Sequence, residues 1–345
     1  MDKTYVVTFG EIMLRLKSPA HERLFQSPTL EATFGGGEAN VAASLALFGL
    51  DARFVSALPP GPIGDAALRP LRSFGVDVGH VHRAGNRCGI YFLETGADMR
   101  ASQVVYDRAE SSASTMKPGD FPWSAIFADA RWFHVTGITP ALSESAANTV
   151  LEAAKSARAA GVTVSVDLNY RKKLWNYGIP AKEIMGRLVA EADVLIANEE
   201  DIQLGLGITV GGIDPSAGKV GPEAYRSLTA AVRMKYPNLS AVAVTLRESH
   251  SADRNGWSAV LDSGGEYLVS KKYILEDIVD RVGGGDSFAA GLIFGMLEFG
   301  TPRKALEYAV AASALKHTIP GDMNLAHRQE VEQLLAGDGS GRVSR

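Results

Sequence analysis

A chain of 345 residues with 46% hydrophobic and 21% charged side chains is long enough to bury a large core, and its formal net charge of −4 is mild. That balance argues against nucleic acid or an anionic membrane surface as a partner and predicts an enzyme or binding protein for small molecules. The single cysteine, Cys88, excludes an internal disulfide framework and a cysteine metal cluster.

No apolar run approaches membrane-spanning length, and the opening MDKTYVVTFGE lacks the charged and apolar regions of a secretory signal, so a cytoplasmic location is expected. The first strand is read at TYVVTFG. Glu11–Phe34 follows with short alternating runs such as IMLRL, and a helix over Ala39–Phe48 is stopped by Gly49 in a C-cap position. ARFVSA, around Val55, is the next strand. Arg87–Arg108 again alternates without a helix, in GIYFLE and SQVVYDR. The two helix-free pieces, 11–34 and 87–108, predict one small antiparallel sheet that projects as a lid. Four further strands are read around Val135, Val166, Ile196 and Val244, separated by amphipathic helices over Ser143–Ala160, Ala181–Glu191 and Glu223–Lys235. Strands alternating with helices imply an α/β fold with a mostly parallel central sheet and helices on both faces. One domain over 1–336 is expected, with a disordered tail over 337–345.

The strand ends are polar: Thr136; Asp167, Asn169 and Arg171; Asn198, Glu199, Glu200 and Asp201; Thr245, Arg247 and Glu248. Ligands of open parallel sheets bind outside those carboxyl ends. The stretch DRVGGGDSFAAG, residues 280–291, runs three glycines into a helical apolar pattern. Glycines that turn several N–H groups toward one point, followed by a helix start, make an anion site. Asp286 at that entrance is either an N-cap or a base. The spacing is not that of a dinucleotide fingerprint. His134 on an apolar strand, Trp132-Phe133 and Cys88 read as core residues, and His80 and His82 lack a third ligand at metal spacing.

With these residues in view, DRVGGGDSFAAGL resembles the C-terminal signature D-T-x-G-A-G-D of the ribokinase-like (PfkB) carbohydrate kinases. FGGGEANVAASLALFGL resembles that family's N-terminal signature, and NEED at Asn198–Asp201 resembles its N-x-x-E motif. The likeness runs in the family's order over about residues 4 to 335. DLNYRKKLW, GIYFLE, VVYDR and KHTIPGD resemble the 2-keto-3-deoxygluconate kinase subgroup. The resemblance implies a ribokinase-like fold and transfer of the γ-phosphate of ATP to a hydroxyl of 2-keto-3-deoxygluconate. It also implies Mg²⁺, with a monovalent cation as a further candidate; the charge balance predicts no nucleic-acid or membrane partner, and an exposed lid sheet edge that could pair with another copy predicts a homo-oligomer.

By the same likeness, Gly35, Gly36 and Asn40 would line the sugar pocket, Tyr91 and Tyr106 would close it from the lid, and Asp322 would meet substrate hydroxyls. A carboxylate substrate asks for arginine, whose fork binds it bidentately, and this singles out Arg108 and Arg171. Asn169 and Arg171 would reach between sugar and nucleotide phosphates, with Thr245, Arg247 and Gly256 bordering the nucleotide. Asn198, Glu200 and Asp201 would hold Mg²⁺ largely through water. Gly283, Gly284 and Gly285 would cradle the transferring phosphate, and Asp286 would be the base. The sequence departs from the family in reading N-x-x-D, in the long TLRESHSADRNG, in Gly284 for alanine, and in Arg281 and Val282, which receive no role. Two other readings stand beside this one: a kinase for a neutral sugar such as fructose or ribose, and a non-catalytic sugar-binding regulator on the same fold.

Overall fold

In the computed structural model, residues 4–211 and 221–337 are described. The tail expected over 337–345 lies, but for Gly337, outside the described residues. Among the described residues the main sheet has nine strands, in the spatial order Glu266–Val269, Asn255–Ser263, Ala241–Ser249, Val194–Ala197, Thr163–Asp167, Ala130–Thr136, Tyr5–Phe9 and Ala52–Val55, with Tyr273–Leu275 paired off that path to Asn255–Ser263. Pairing is parallel from Ala52–Val55 through to Ala241–Ser249 and antiparallel beyond it. The parallel strands are buried on both faces, which is why VVTF and VLIA read as unbroken apolar runs.

Successive strand residues divide between two cores, as a period of two requires. Val6, Trp132 and Ile196 join the core beneath the helices Gly37–Leu47, Gly284–Glu298 and Pro302–Lys316, where Phe48, Phe294 and Tyr308 pack ring to ring. Val7, Phe133 and Leu195 join the opposite core with the helices Glu144–Ala159, Ala181–Val189 and Ala224–Lys235. His134 is buried on the Trp132 face of the sheet with its Nδ1 2.8 Å from Ser165 Oγ, and burial pushes its imidazole down to about 3. Cys88 is also buried, its thiol pushed up to about 11 by burial and then by the charge of Glu11. Each helix read from the sequence is present to within a few residues. The helix Pro62–Ser73 and the antiparallel strands after 255 were not anticipated. A proline at the start and another inside mask the first, and a hairpin without apolar alternation masks the second.

The lid is a separate four-stranded sheet in the order Glu31–Gly35, Met13–Lys17, Ile90–Glu94, Gln103–Asp107. Each of its two chain pieces makes its own antiparallel pair, and the pairs join through a parallel pairing of Met13–Lys17 with Ile90–Glu94. Met13, Tyr91 and Leu93 form a small apolar cluster against Val282, so the residue before the glycine run anchors the lid.

Candidate active site

A cleft of about 690 Å³ lies between the lid, the carboxyl ends of the parallel strands and the start of the Gly284–Glu298 helix. Gly283 caps that helix in the left-handed region, φ 83°, where a side chain would be strained and where a Cβ would lie 1.8 Å from the Asp322 carbonyl. A Cβ on Gly285 would meet nothing within 4 Å, so the turn is open where it faces the cleft. Glycine 283 is therefore the cap, and Asp286 is the third helical residue with its side chain free of capping duty. It is 8% exposed, and Asn40 Nδ2, from the Gly37–Leu47 helix, donates to its Oδ2 at 2.7 Å. Burial pushes the Asp286 carboxyl up, Asn40 and Arg171 oppose that, Asp322 and Glu38 reinforce it, and the result is about 7.

Glu38, which received no role from the sequence, holds Asn40's helix in place. Its carboxylate is fully buried and accepts from Thr136 N at 2.9 Å, Thr136 Oγ1 at 2.8 Å and Thr139 Oγ1 at 3.0 Å. Burial raises its pKa against those donors. The sign of its presence was the run FGGGEAN itself, in which a charged residue stands between glycines and the asparagine.

A second buried network joins lid and glycine turn. Arg15, 1% exposed, donates Nη1 to Asp322 Oδ1 at 2.6 Å and Nη2 to Asp280 Oδ2 at 2.5 Å. Burial works against the guanidinium charge, but Asp322, Tyr91 and Asp280 raise its pKa overall. Tyr91 donates its hydroxyl to the Asp322 carboxylate at 2.6 Å. Asp280 also accepts from Val282 N at 3.0 Å and Gly321 N at 3.1 Å. Nothing in the sequence marks Arg15, which reads as an outward residue of an alternating strand.

Gly36, Asn40, Tyr91, Tyr106, Arg171 and Asp322 all border the cleft. So do Asn169, Asn198, Glu200, Asp201, Thr245 and Arg247. Arg171 is exposed to it, and Arg247 lies 5.1 Å from the Trp257 ring. Four expected residues do not border it. Gly35 is packed against the Asp322 carboxylate, and Gly284 against the His317 ring. Gly256 pairs with Glu248 in the hairpin that replaces the expected loop. Arg108 is the main correction: only 6% exposed, it donates Nε to Glu11 Oε2 at 2.9 Å and Nη2 to the same oxygen, while its guanidinium lies 5.3 Å from the Tyr106 ring. A buried carboxylate from the segment between Tyr5–Phe9 and Met13–Lys17 claims the fork that a substrate carboxylate would use.

The acidic strand ends converge. Asn198 caps the Glu199–Leu206 helix by accepting from Asp201 N at 2.8 Å, and Asp201 Oδ1 accepts from Tyr170 N at 3.0 Å. Burial pushes the Asp201 carboxyl up to about 6, with Arg171 opposing. Asp167, at the end of its strand, is raised well above the usual carboxylate range by burial and then by Asp201 and Asp286. It was noticed as a polar strand end but assigned nothing. Among the described residues, however, no three carboxylate or histidine side chains are placed to ligate a metal ion directly.

The profile of the pfkB family carbohydrate kinases matches residues 3–328. A 2-dehydro-3-deoxygalactonokinase of Haloferax volcanii is 33% identical over 337 residues, spanning 97% of this chain and 98% of that protein. A 2-dehydro-3-deoxygluconokinase of Bacillus subtilis is 30% identical, over 97% and 96%. The crystal structure of a 2-dehydro-3-deoxygluconokinase from Thermotoga maritima is 50% identical over 97% of this chain and 98% of that one, with a TM-score of 0.91. An open glycine turn beside a buried aspartate in a strand-end cleft, and a family match over nearly the whole length, lead to one conclusion: the chain belongs to the pfkB family of carbohydrate kinases.

Proposed function

We propose that residues 1–336 form one kinase domain that transfers the γ-phosphoryl group of ATP to the terminal hydroxyl of 2-keto-3-deoxygluconate (2-dehydro-3-deoxygluconate), giving the 6-phosphate. The observation that carries this reading is the Asp286 carboxylate, oriented by Asn40 beside the open Gly283–Gly285 turn in a cleft that Arg171 enters. The 50% identity to the Thermotoga maritima enzyme supports the choice of substrate.

Phosphoryl transfer leaves the protein positioning and charge neutralisation rather than covalent chemistry. Asp286 takes the proton of the attacking hydroxyl as its oxygen bonds to the γ-phosphorus, and the bond to the bridging oxygen of ADP breaks. The amides of the glycine turn and the helix start meet the charge on the phosphoryl oxygens. Arg171 holds the substrate carboxylate, or shares itself with the nucleotide phosphates. Arg247 and Thr245 border the nucleotide. Tyr91 and Tyr106 cover the sugar, excluding water that would otherwise compete as acceptor. Mg²⁺ would be held largely through water by Asn198, Asp201, Asp167 and the exposed Glu200, because among the described residues no three carboxylates are placed to ligate it directly and Asn198 and Asp201 each already accept a backbone amide; when bound it would neutralise phosphate charge. For a monovalent cation, the described residues offer an alternative already in place, the buried ammonium of Lys316. Arg108 is reserved for the carboxylate only if Glu11 releases it.

The test is ADP release measured with 2-keto-3-deoxygluconate, its galactonate epimer, fructose and ribose. Turnover on the gluconate-derived acid far above the neutral sugars is expected. The epimer is included because the Haloferax volcanii relative is named for it. Preference for a neutral sugar would reject the substrate, and ligand-induced thermal stabilisation without any turnover would reject the enzyme in favour of a sugar-binding regulator.

A further inference from the structure

Lys316 ends the Pro302–Lys316 helix and is 0% exposed. Lysine is almost never buried so completely without a partner for its charge. Among the described residues no carboxylate comes within ion-pair distance of it. Its ammonium donates instead to the Ile319 carbonyl at 3.0 Å and lies 3.5 Å from the Asp280 carbonyl. Those two oxygens belong to the two segments that hold the glycine turn. Asp280 leads into it, with its carboxylate on Val282 N and Arg15. The segment after Ile319 packs on it, since the Asp322 carbonyl sits where a Cβ of Gly283 would be. Lys316 Cε is 3.2 Å from that same point, so the lysine stem runs directly against Gly283.

A lysine at a helix end that capped only its own last carbonyls would be ordinary. This one bridges a segment 36 residues away, in full burial, at the turn that faces the cleft. An ammonium held by backbone carbonyls is chemically what a bound K⁺ or NH₄⁺ would be. We propose that Lys316 is a positioning residue whose ammonium serves as a built-in monovalent cation, drawing the Asp280 and Ile319 carbonyls together so that the Gly283–Gly285 turn keeps its amides toward the phosphoryl group. This rests on the kinase reading above.

The test is Lys316→Met, which keeps the stem and removes the charge. The expected loss in kcat is at least about tenfold, below the 10²–10³ of removing a direct oxyanion donor. KM for the keto acid should move less than about threefold, because the sugar pocket is untouched. K⁺ or NH₄⁺, exchanged for tetramethylammonium at constant ionic strength, should restore kcat in Lys316→Ala, whose shortened stem leaves the ammonium's place open, and leave the wild type unchanged. A variant with wild-type kcat, or a loss in Lys316→Ala that neither cation repairs, overturns the proposal. Should either variant fail to fold, the wild type decides: full turnover with tetramethylammonium alone supports a built-in cation, and activation by K⁺ refutes it. Wild-type turnover is established first, so its absence counts against the kinase reading, and an unaffected variant counts only against Lys316.

Discussion

Asp286 combines two opposed demands. As the proposed base it must be ionised, and as a buried group it resists ionisation, which leaves its carboxyl near 7 rather than at the ordinary 3.8. A base with that value becomes competent as pH rises, so kcat/KM should climb through about pH 7 to a plateau. Replacing Asn40 by leucine removes a donor that favours the carboxylate and should move that midpoint upward. The same shift bears on stability. An acid raised on folding binds its proton more tightly in the folded state, so stability declines as pH rises from about 4 to about 7 and stays lower above that. Asp286→Asn should therefore lose about 10²–10⁴-fold in turnover, yet melt higher than wild type at pH 8, with the difference vanishing near pH 4. Calorimetry across that range, alongside the rate, checks both halves. The two arginines separate in a similar way. Arg108→Ala strands the buried Glu11 carboxylate and should cost about 3–5 kcal/mol in urea unfolding. Arg171→Ala, at an exposed position, should leave stability alone and raise KM for the keto acid more than for a neutral sugar. Equal KM changes on both substrates would remove Arg171 from the carboxylate.

At the scale of elements, the lid is not hinged freely over the cleft. Arg15 carries the Met13–Lys17 strand onto Asp280 and Asp322, on either side of the glycine turn, and Val282 packs against Met13, Tyr91 and Leu93. One lid strand and the glycine turn therefore form a single block. The outer strand Gln103–Asp107, by contrast, is exposed along its whole length and carries Tyr106 into the cleft. Arg15→Met leaves two buried carboxylates without their cation and should destabilise by about 3–5 kcal/mol. Because the same carboxylates flank Gly283, kcat should fall with it. Loss of stability with unchanged kcat at a temperature where the variant is folded would show that the lid and the turn act independently.

At the scale of the whole molecule, the exposed edge of the lid bears on assembly. Val105 stands outward on an edge strand, while Val104 faces the cleft with Tyr106, and among the described residues no further strand pairs with the outer edge of that strand. We read it as the surface through which two copies pair. Val105→Lys should lower the mass measured by light scattering to that of one chain, and a wild type already of that mass would end the idea. Among the described residues no helix is long and apolar enough to cross a membrane.

Much of this was legible before any coordinates. A parallel sheet buried on both faces prints itself as alternating apolar strands and amphipathic helices, and the glycine run, Asn40, Asp286 and the polar strand ends each carry a local chemical reason to be where they are. The long-range partnerships were not legible. Arg15 meets Asp322 across 307 positions, Asn40 meets Asp286 across 246, and Arg108 meets Glu11 across 97. Charge, propensity and spacing act over a few residues, whereas the partner of a buried charge is chosen by which segments pack together. That is why the sequence marked Arg108 as a free clamp and passed over Glu38, Asp167, Arg15 and Lys316. Residue type determined what each group is able to do; only the tertiary structure decided which of them face the cleft and which hold the groups that do.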